Sequence, residues 1–178
     1  NTDHAYRRLV NTLGPERVAR TEFERMVYSH DFASLPKVAL LQWRLYPDFV
    51  VLPQTTEEVS AIVKLSDESA LPIVPRGGGT GWYGGSVPNR GGVLLDMRKM
   101  NRIRAFDPQA RMVTVEAGAT WAEVVAYAVD LLMRRHGLPL EVASLVFAAP
   151  FWDDIERRSP AEQALLRALR QVYPSLLL

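Results

Sequence analysis

The chain has 178 residues and a mass of 20.0 kDa, 48% hydrophobic and 23% charged, the size and mixture of one soluble globular domain or slightly more. Basic residues exceed acidic ones by 21 − 20 = +1, so no global field selects nucleic acid or an anionic membrane. Zero cysteines exclude a disulfide framework, a thiolate metal site, a cysteine-ligated iron–sulfur cluster and a cysteine nucleophile. The longest apolar runs, such as Ala143 to Phe151, fall short of the roughly 20 residues that span a bilayer. Asn1 stands where a translated chain starts with Met, so we expect residues to precede it.

Tyr6 to Leu13 reads as a helix closed by Gly14 and Pro15. Asp48 to Leu52 reads as a short buried strand ended by Pro53. Thr55 and Glu58 have the spacing of a capping box, and Val59, Ile62 and Val63 continue it as an apolar helical stripe. Leu71 to Val74, Gly92 to Met97, Ile103 to Phe106 and Met112 to Glu116 are further strands, the last two separated by an Asp107-Pro108 turn. Thr120 and Glu123 suggest a second capping box, opening a helix through Val124, Val125 and Ala128. Ser159, Pro160 and Glu162 start another helix that reaches about Val172. The mixture is α+β or α/β, with no internal repeat.

Eight of the 11 glycines lie between Gly77 and Gly92. Glycine costs entropy to order, so such a concentration serves either positive φ angles or the close approach of a ligand. Gly79 to Gly84 matches G-x-G-x-x-G, but the continuation through Pro88 and Gly91 cannot open a helix, which argues against a nicotinamide-binding turn. No Gly-Lys-Ser/Thr follows, which excludes a P-loop, and no strand lysine suits a kinase glycine loop. An irregular loop survives, whose main-chain N–H groups can converge on an anion, aided by Arg76 and the Thr80 hydroxyl. The competing reading is a glycine-rich surface turn without a ligand.

Pro75-Arg76-Gly77-Gly78-Gly79-Thr80-Gly81, Gly84-Gly85 and Gly91 to Asp96 together resemble the FAD-binding domain of the vanillyl-alcohol oxidase/p-cresol methylhydroxylase (PCMH) superfamily. The similarity is to its glycolate oxidase and D-lactate dehydrogenase branch. It extends upstream through Tyr28 to Asp31 and Pro53 to Val59, and downstream through Met100 to Ile103 and Val115 to Gly118, as far as Trp121. The resemblance implies an α+β, PCMH-type fold of two small α/β subdomains, the second incomplete. It implies non-covalent FAD held by Pro75, Arg76, Gly77, Gly78, Gly79, Thr80, Gly81, Gly84, Gly85 and Ser86. Relatives that bond flavin covalently carry His in an Arg-x-Gly-Gly-His motif; Thr80 occupies the matching position and has no nitrogen nucleophile. The implied substrate is a small hydroxy acid or alcohol, and the implied partner an electron-acceptor subunit, such as an iron–sulfur protein or an electron-transfer flavoprotein. No nucleic acid is implied, and the location is cytoplasmic or peripheral to a membrane.

Beyond about Asp130 the resemblance stops. Gly137-Leu138-Pro139-Leu140 arrives about five residues late for the family's next motif, and no glycine follows Gly137 to supply a second flavin-covering segment. Complete members are more than twice as long as this chain. We therefore divide the chain into an N-terminal helical segment at 1–45, a PCMH-type subdomain at 46–130 and a helical segment at 131–178. The last is expected to come from a non-adjacent part of a longer parent. The chain alone is expected to bind FAD weakly and turn over little.

His4, His30 and His136 share no metal-ligand spacing, and no metal is expected. His30 and Asp31 suggest a hydrogen-bonded structural pair, Asp153, Asp154 and Glu156 beside Arg157 and Arg158 a solvated charged face, and Trp121 a core residue. Trp82 and Tyr83 either cover a cofactor or pack on the domain. No catalytic residue is assigned. Three functions compete: an FAD-dependent oxidoreductase transferring hydride to flavin, a flavin-binding or scaffold subunit without its own catalytic site, and a fragment that binds nothing.

Overall fold

Ala5, Leu9 and Leu13 recur every four residues and are all buried, the spacing that puts them on one stripe of a helix. That helix, α1, is Thr2–Leu13 in the computed structural model, which describes residues 2–107, 112–137 and 139. It starts at Thr2 rather than Tyr6 and ends where Gly14 turns to φ +90° and its N–H caps the Val10 carbonyl at 2.8 Å.

Then come β1 (Val18–Ala19), α2 (Glu22–Met26), α3 (Lys37–Gln42), β2 (Phe49–Val51), α4 (Thr56–Glu68), β3 (Ile73–Arg76), β4 (Val93–Asp96), β5 (Ile103–Asp107), β6 (Met112–Val115) and α5 (Trp121–His136). The chain divides after Thr120 into two units. The first holds both sheets, and α5 is the described helix of the second.

The main sheet has the order β1-β2-β4-β3, with β2, β4 and β3 parallel and β1 antiparallel at one edge. Phe49, Val50, Val51, Val93 and Leu94 are all fully buried, the pattern of strands covered on both faces. Phe49, Val51, Val93 and Leu95 share a core with Ala5, Leu9 and Leu13 of α1 and Ile62 and Leu65 of α4. Each buried Val, Leu, Ile or Phe of that core contributes about 1.5–3 kcal/mol by leaving water, and Tyr6 stacks on Phe49 with ring centres 5.9 Å apart.

The Thr55–Glu58 box forms by half. Thr55 Oγ1 accepts from the Glu58 N–H at 3.2 Å. The Glu58 carboxylate turns instead to the Gln54 N–H at 2.7 Å and the Arg17 guanidinium at 2.8 Å. A complete box stands at Thr21 and Glu24, where it opens the short α2. The two strands expected here are β5 and β6, and they pair antiparallel. α5 runs from Trp121 to His136 without a break at residues 130 and 131, and Trp121 is exposed rather than in the core. Pro108, Ala143 to Phe151, the acidic residues at 153, 154 and 156, and the helix expected from Ser159 lie outside the described residues.

Candidate functional site

In open parallel sheets, ligands bind beyond the carboxyl ends of the strands. The glycine loop leaves β3 at that end and returns to start β4, so it is itself the crossover between two parallel neighbours. Pro75 and Arg76 are the last residues of β3 rather than part of the loop. Pro75 is tolerated there because β3 is an edge strand, which leaves one side of its ladder without donors to supply. Gly77, Gly78, Gly79, Thr80, Gly81, Gly84, Gly85 and Ser86 all lie in the loop.

The two halves of the loop differ. From Gly84 onward it is a series of tight turns pinned by buried Val87 and Pro88: Val87 N–H donates to the Gly84 carbonyl at 3.1 Å and Gly91 N–H to that of Pro88 at 3.1 Å. Gly92 is fixed by the Asp48 carboxylate, which accepts its N–H at 2.7 Å. From Gly78 to Ser86, by contrast, no main-chain N–H donates a hydrogen bond among the described residues. A Cβ placed on Gly77 or Gly85 meets no atom within 4 Å, and on Gly78 only the Thr80 methyl at 3.6 Å. Nothing inside the protein requires glycine at those three positions. The bare backbone there is open to close approach, and its amides without partners are groups that an anion such as a diphosphate can engage. Thr80 is exposed and its hydroxyl has no partner among the described residues.

Arg76 lies back along the loop rather than out into water. Its Nη1 donates to the His30 carbonyl at 2.8 Å, its guanidinium stands 5.5 Å from the centre of the Tyr28 ring, and Gly79, at φ +69°, leaves room for it. Arg76 takes part in no ion pair among the described residues, so its charge is left for an anion. Tyr28 donates its hydroxyl hydrogen to Asp96 Oδ2 at 2.8 Å, and Arg98 grips the same carboxylate through Nε at 2.9 Å and Nη2 at 2.5 Å. Burial pushes the Asp96 carboxyl up, but the bonds from Arg98 and Tyr28 and the Arg98 charge outweigh it and hold the group below the carboxylate range. Burial, then the bond to Asp96 and its charge, push Tyr28 up, so its hydroxyl stays a donor through neutral pH. The bond to Asp96 chiefly raises Arg98, which stays cationic.

Tyr28, Asp96 and Arg98 are site neighbours that the sequence reading did not assign. Tyr28 belonged to a quoted motif without a role, and no local spacing connects it to residues some 70 positions away. His30 and Asp31 do not bond each other. His30 Nδ1 faces Ser29 Oγ at 3.3 Å, while Asp31 accepts from the Ala33 N–H at 2.8 Å and the Ser86 hydroxyl at 3.2 Å. Trp82 and Tyr83 are 72% and 98% exposed, so they do not pack on the domain interior; Trp82 instead meets the also exposed Phe32, with ring centres 6.1 Å apart. A groove of about 350 Å³ between α1 and α4, bridged by the Arg8–Glu68 ion pair, shares no residue with the loop. Among the described residues no three potential metal ligands cluster, and no helix is long and apolar enough to cross a membrane.

Comparison with known proteins places most of this region in a known family. A family model described as an FAD binding domain matches residues 47–145, more than half of the chain. The glycolate oxidase subunit GlcD of Bacillus subtilis is 35% identical over 117 residues, which cover 66% of this chain and 23% of that protein. The mitochondrial D-lactate dehydrogenase (cytochrome) of Arabidopsis thaliana is 43% identical over 81 residues, covering 46% of this chain and 14% of the relative. Among solved structures, p-cresol methylhydroxylase with substrate bound matches with a TM-score of 0.63 and 27% identity, over 77% of this chain and 25% of that one. Alkyldihydroxyacetonephosphate synthase matches with a TM-score of 0.61 and 26% identity, over 72% and 27% respectively. The chain spans about a quarter or less of the length of these proteins.

Proposed function

The chain belongs to the FAD-binding domain family and has the α+β, PCMH-type fold of p-cresol methylhydroxylase, and from that premise we propose that the loop ending β3 holds the diphosphate of a non-covalently bound FAD. Main-chain N–H groups of Gly77 to Gly81 and of Gly84 to Ser86 surround the phosphates, Arg76 supplies the countercharge and the Thr80 hydroxyl one further donor. The unpaired amides between Gly78 and Ser86 carry this reading. Those donors have no partner among the described residues and are open to a ligand, whereas the stretch from Gly84 to Gly91 is in part bonded to itself. Thr80 has no side-chain nitrogen with which to bond the flavin ring, hence the non-covalent assignment.

In the whole protein the reaction we propose is oxidation of a small 2-hydroxy acid or alcohol, with an electron-acceptor subunit as partner, in the cytoplasm or at a membrane surface. Bound FAD supplies the hydride acceptor. The names of the relatives support this choice, one a glycolate oxidase subunit and another a D-lactate dehydrogenase. A second reading is a flavin-binding or scaffold subunit without a catalytic site of its own.

Titrating the purified chain with FAD and with riboflavin, followed by flavin fluorescence, tests the site. We expect measurable binding of FAD and much weaker binding of riboflavin, which has no phosphate. Equal affinity for the two rejects the loop as a diphosphate site. Loss of the visible flavin absorbance on anaerobic addition of D-lactate or glycolate separates the oxidoreductase from the scaffold.

A further inference from the structure

We propose that Tyr28 to Asp31 form a brace that presets the glycine loop for its phosphate-bearing ligand, with Tyr28 and Asp31 as positioning residues. The inference rests on the reading of the loop as the diphosphate site and adds how an otherwise unsupported loop keeps its shape.

A loop of bare glycines is expensive to order, and an arginine carries several freely turning bonds; both losses fall on ligand binding unless the protein has already met them. The segment touches the loop at its beginning, middle and end. At the beginning it holds Arg76 through the His30 carbonyl, 2.8 Å from Nη1, and through the face of Tyr28. Near the middle, the Asp31 carboxylate stands 3.7 Å from where a Cβ on Gly81 would lie. At the end, the same carboxylate accepts the Ser86 hydroxyl at 3.2 Å, while its other oxygen is held by the Ala33 N–H at 2.8 Å.

The manner of holding Arg76 matters. A carbonyl and an aromatic face fix a guanidinium in place without cancelling its charge, as a carboxylate partner would. The carboxylate that might have done so, Asp96, is fully buried and is already engaged by Arg98 and by the Tyr28 hydroxyl. Tyr28 therefore works at both ends: its oxygen is anchored to the end of β4, and its face offers Arg76 a platform. Asp31 has the same sign as a diphosphate, so its place beside an anion site is explained by the hydroxyl and amide it ties together.

The test is a double-mutant cycle on the whole chain, read as dissociation constants for FAD and for riboflavin. Arg76→Ala is expected to weaken FAD binding about thirtyfold and to leave riboflavin nearly unchanged. Tyr28→Leu, which removes the platform, is expected to weaken FAD binding about tenfold. The double variant is expected to bind no worse than Arg76→Ala alone. Tyr28→Phe keeps the ring and is expected to stay within about threefold of the parent. Full FAD affinity in Tyr28→Leu, or additive losses in the double variant, overturns the brace while the diphosphate site stands. Unchanged FAD affinity in Arg76→Ala rejects the site and the brace together. Should Tyr28→Leu fail to fold, Asp31→Ala decides: the brace predicts weaker FAD binding even though a negative charge has been removed, and tighter binding overturns it.

Discussion

Arg76 and Asp96 face each other across the last rung shared by β3 and β4, yet their side chains meet only through Tyr28. The buried carboxylate is satisfied from the far side by Arg98, which leaves the arginine at the mouth of the loop uncommitted. A structural ion pair and a binding cation thus share one strand end without neutralising each other.

Replacing Asp96 by Asn tests the first half of that arrangement. Asp96 sits fully buried among four donors, so Asp96→Asn is expected to cost about 1–3 kcal/mol near neutral pH. Its folded carboxyl titrates below the ordinary value of 3.8. The ionised group therefore stabilises the fold above that value, and the stabilisation is lost as pH falls through the lower, folded one. Denaturant midpoints of parent and variant should differ at pH 7 and converge in strong acid. A pH-independent gap argues that packing, rather than charge, sets the role of Asp96.

The glycines separate into two kinds, and paired substitutions show it. A Cβ on Gly92, at φ +82°, overlaps the Pro72 carbonyl, and one on Gly118 overlaps that of Met97. Gly92→Ala is expected to destabilise the fold by about 2 kcal/mol or more, through backbone strain and displacement of β3. Gly78→Val meets open space and has no positive φ to violate, so the melting temperature should barely move. FAD binding should nevertheless be lost, because the branched side chain occupies the path of the phosphates. A Gly78→Val chain that retains full FAD affinity removes the first half of the loop from the site.

What the sequence disclosed followed the range of the forces involved. Strand β2 before Pro53 and helix α4 after Thr55 are local decisions, written in neighbouring residues. The density of glycine marked the loop for the same reason. Pro75 looked like the end of a strand, but the ladder continues through Arg76 because β3 lies at the sheet edge, a fact of topology. β1 exists only because Val18 and Ala19 find Val51 and Val50 across the sheet. Tyr28 and Asp96 are 68 residues apart, and only the fold brings them to 2.8 Å. Helix α2 is different: the Thr21–Glu24 spacing was available to be read and was missed, in a helix too short to show an apolar stripe.

The mode of flavin attachment is open to a direct check. Thr80 is exposed and its hydroxyl is a poor nucleophile without a neighbouring base; no titratable partner bonds it among the described residues. Acid precipitation of the FAD-loaded chain should leave all the yellow colour in the supernatant. A coloured pellet points to a covalent bond from some other side chain.

Trp82 and Tyr83 stand outside the stability of the fold. Phe49 is fully buried in the sheet, whereas Trp82 is 72% exposed and its aromatic neighbour Phe32 is 63% exposed. A pair of rings that stays in water on most sides gains little from contact, so Trp82→Ala should change unfolding free energy by no more than about 0.5 kcal/mol. Phe49→Ala should cost about 3–5 kcal/mol, the loss of a buried ring plus the cavity it leaves. Chemical denaturation of the two variants checks the contrast. A large loss in Trp82→Ala would mean that this aromatic pair anchors the loop from outside, and the rigidity attributed to Tyr28 and Asp31 would then be shared with it.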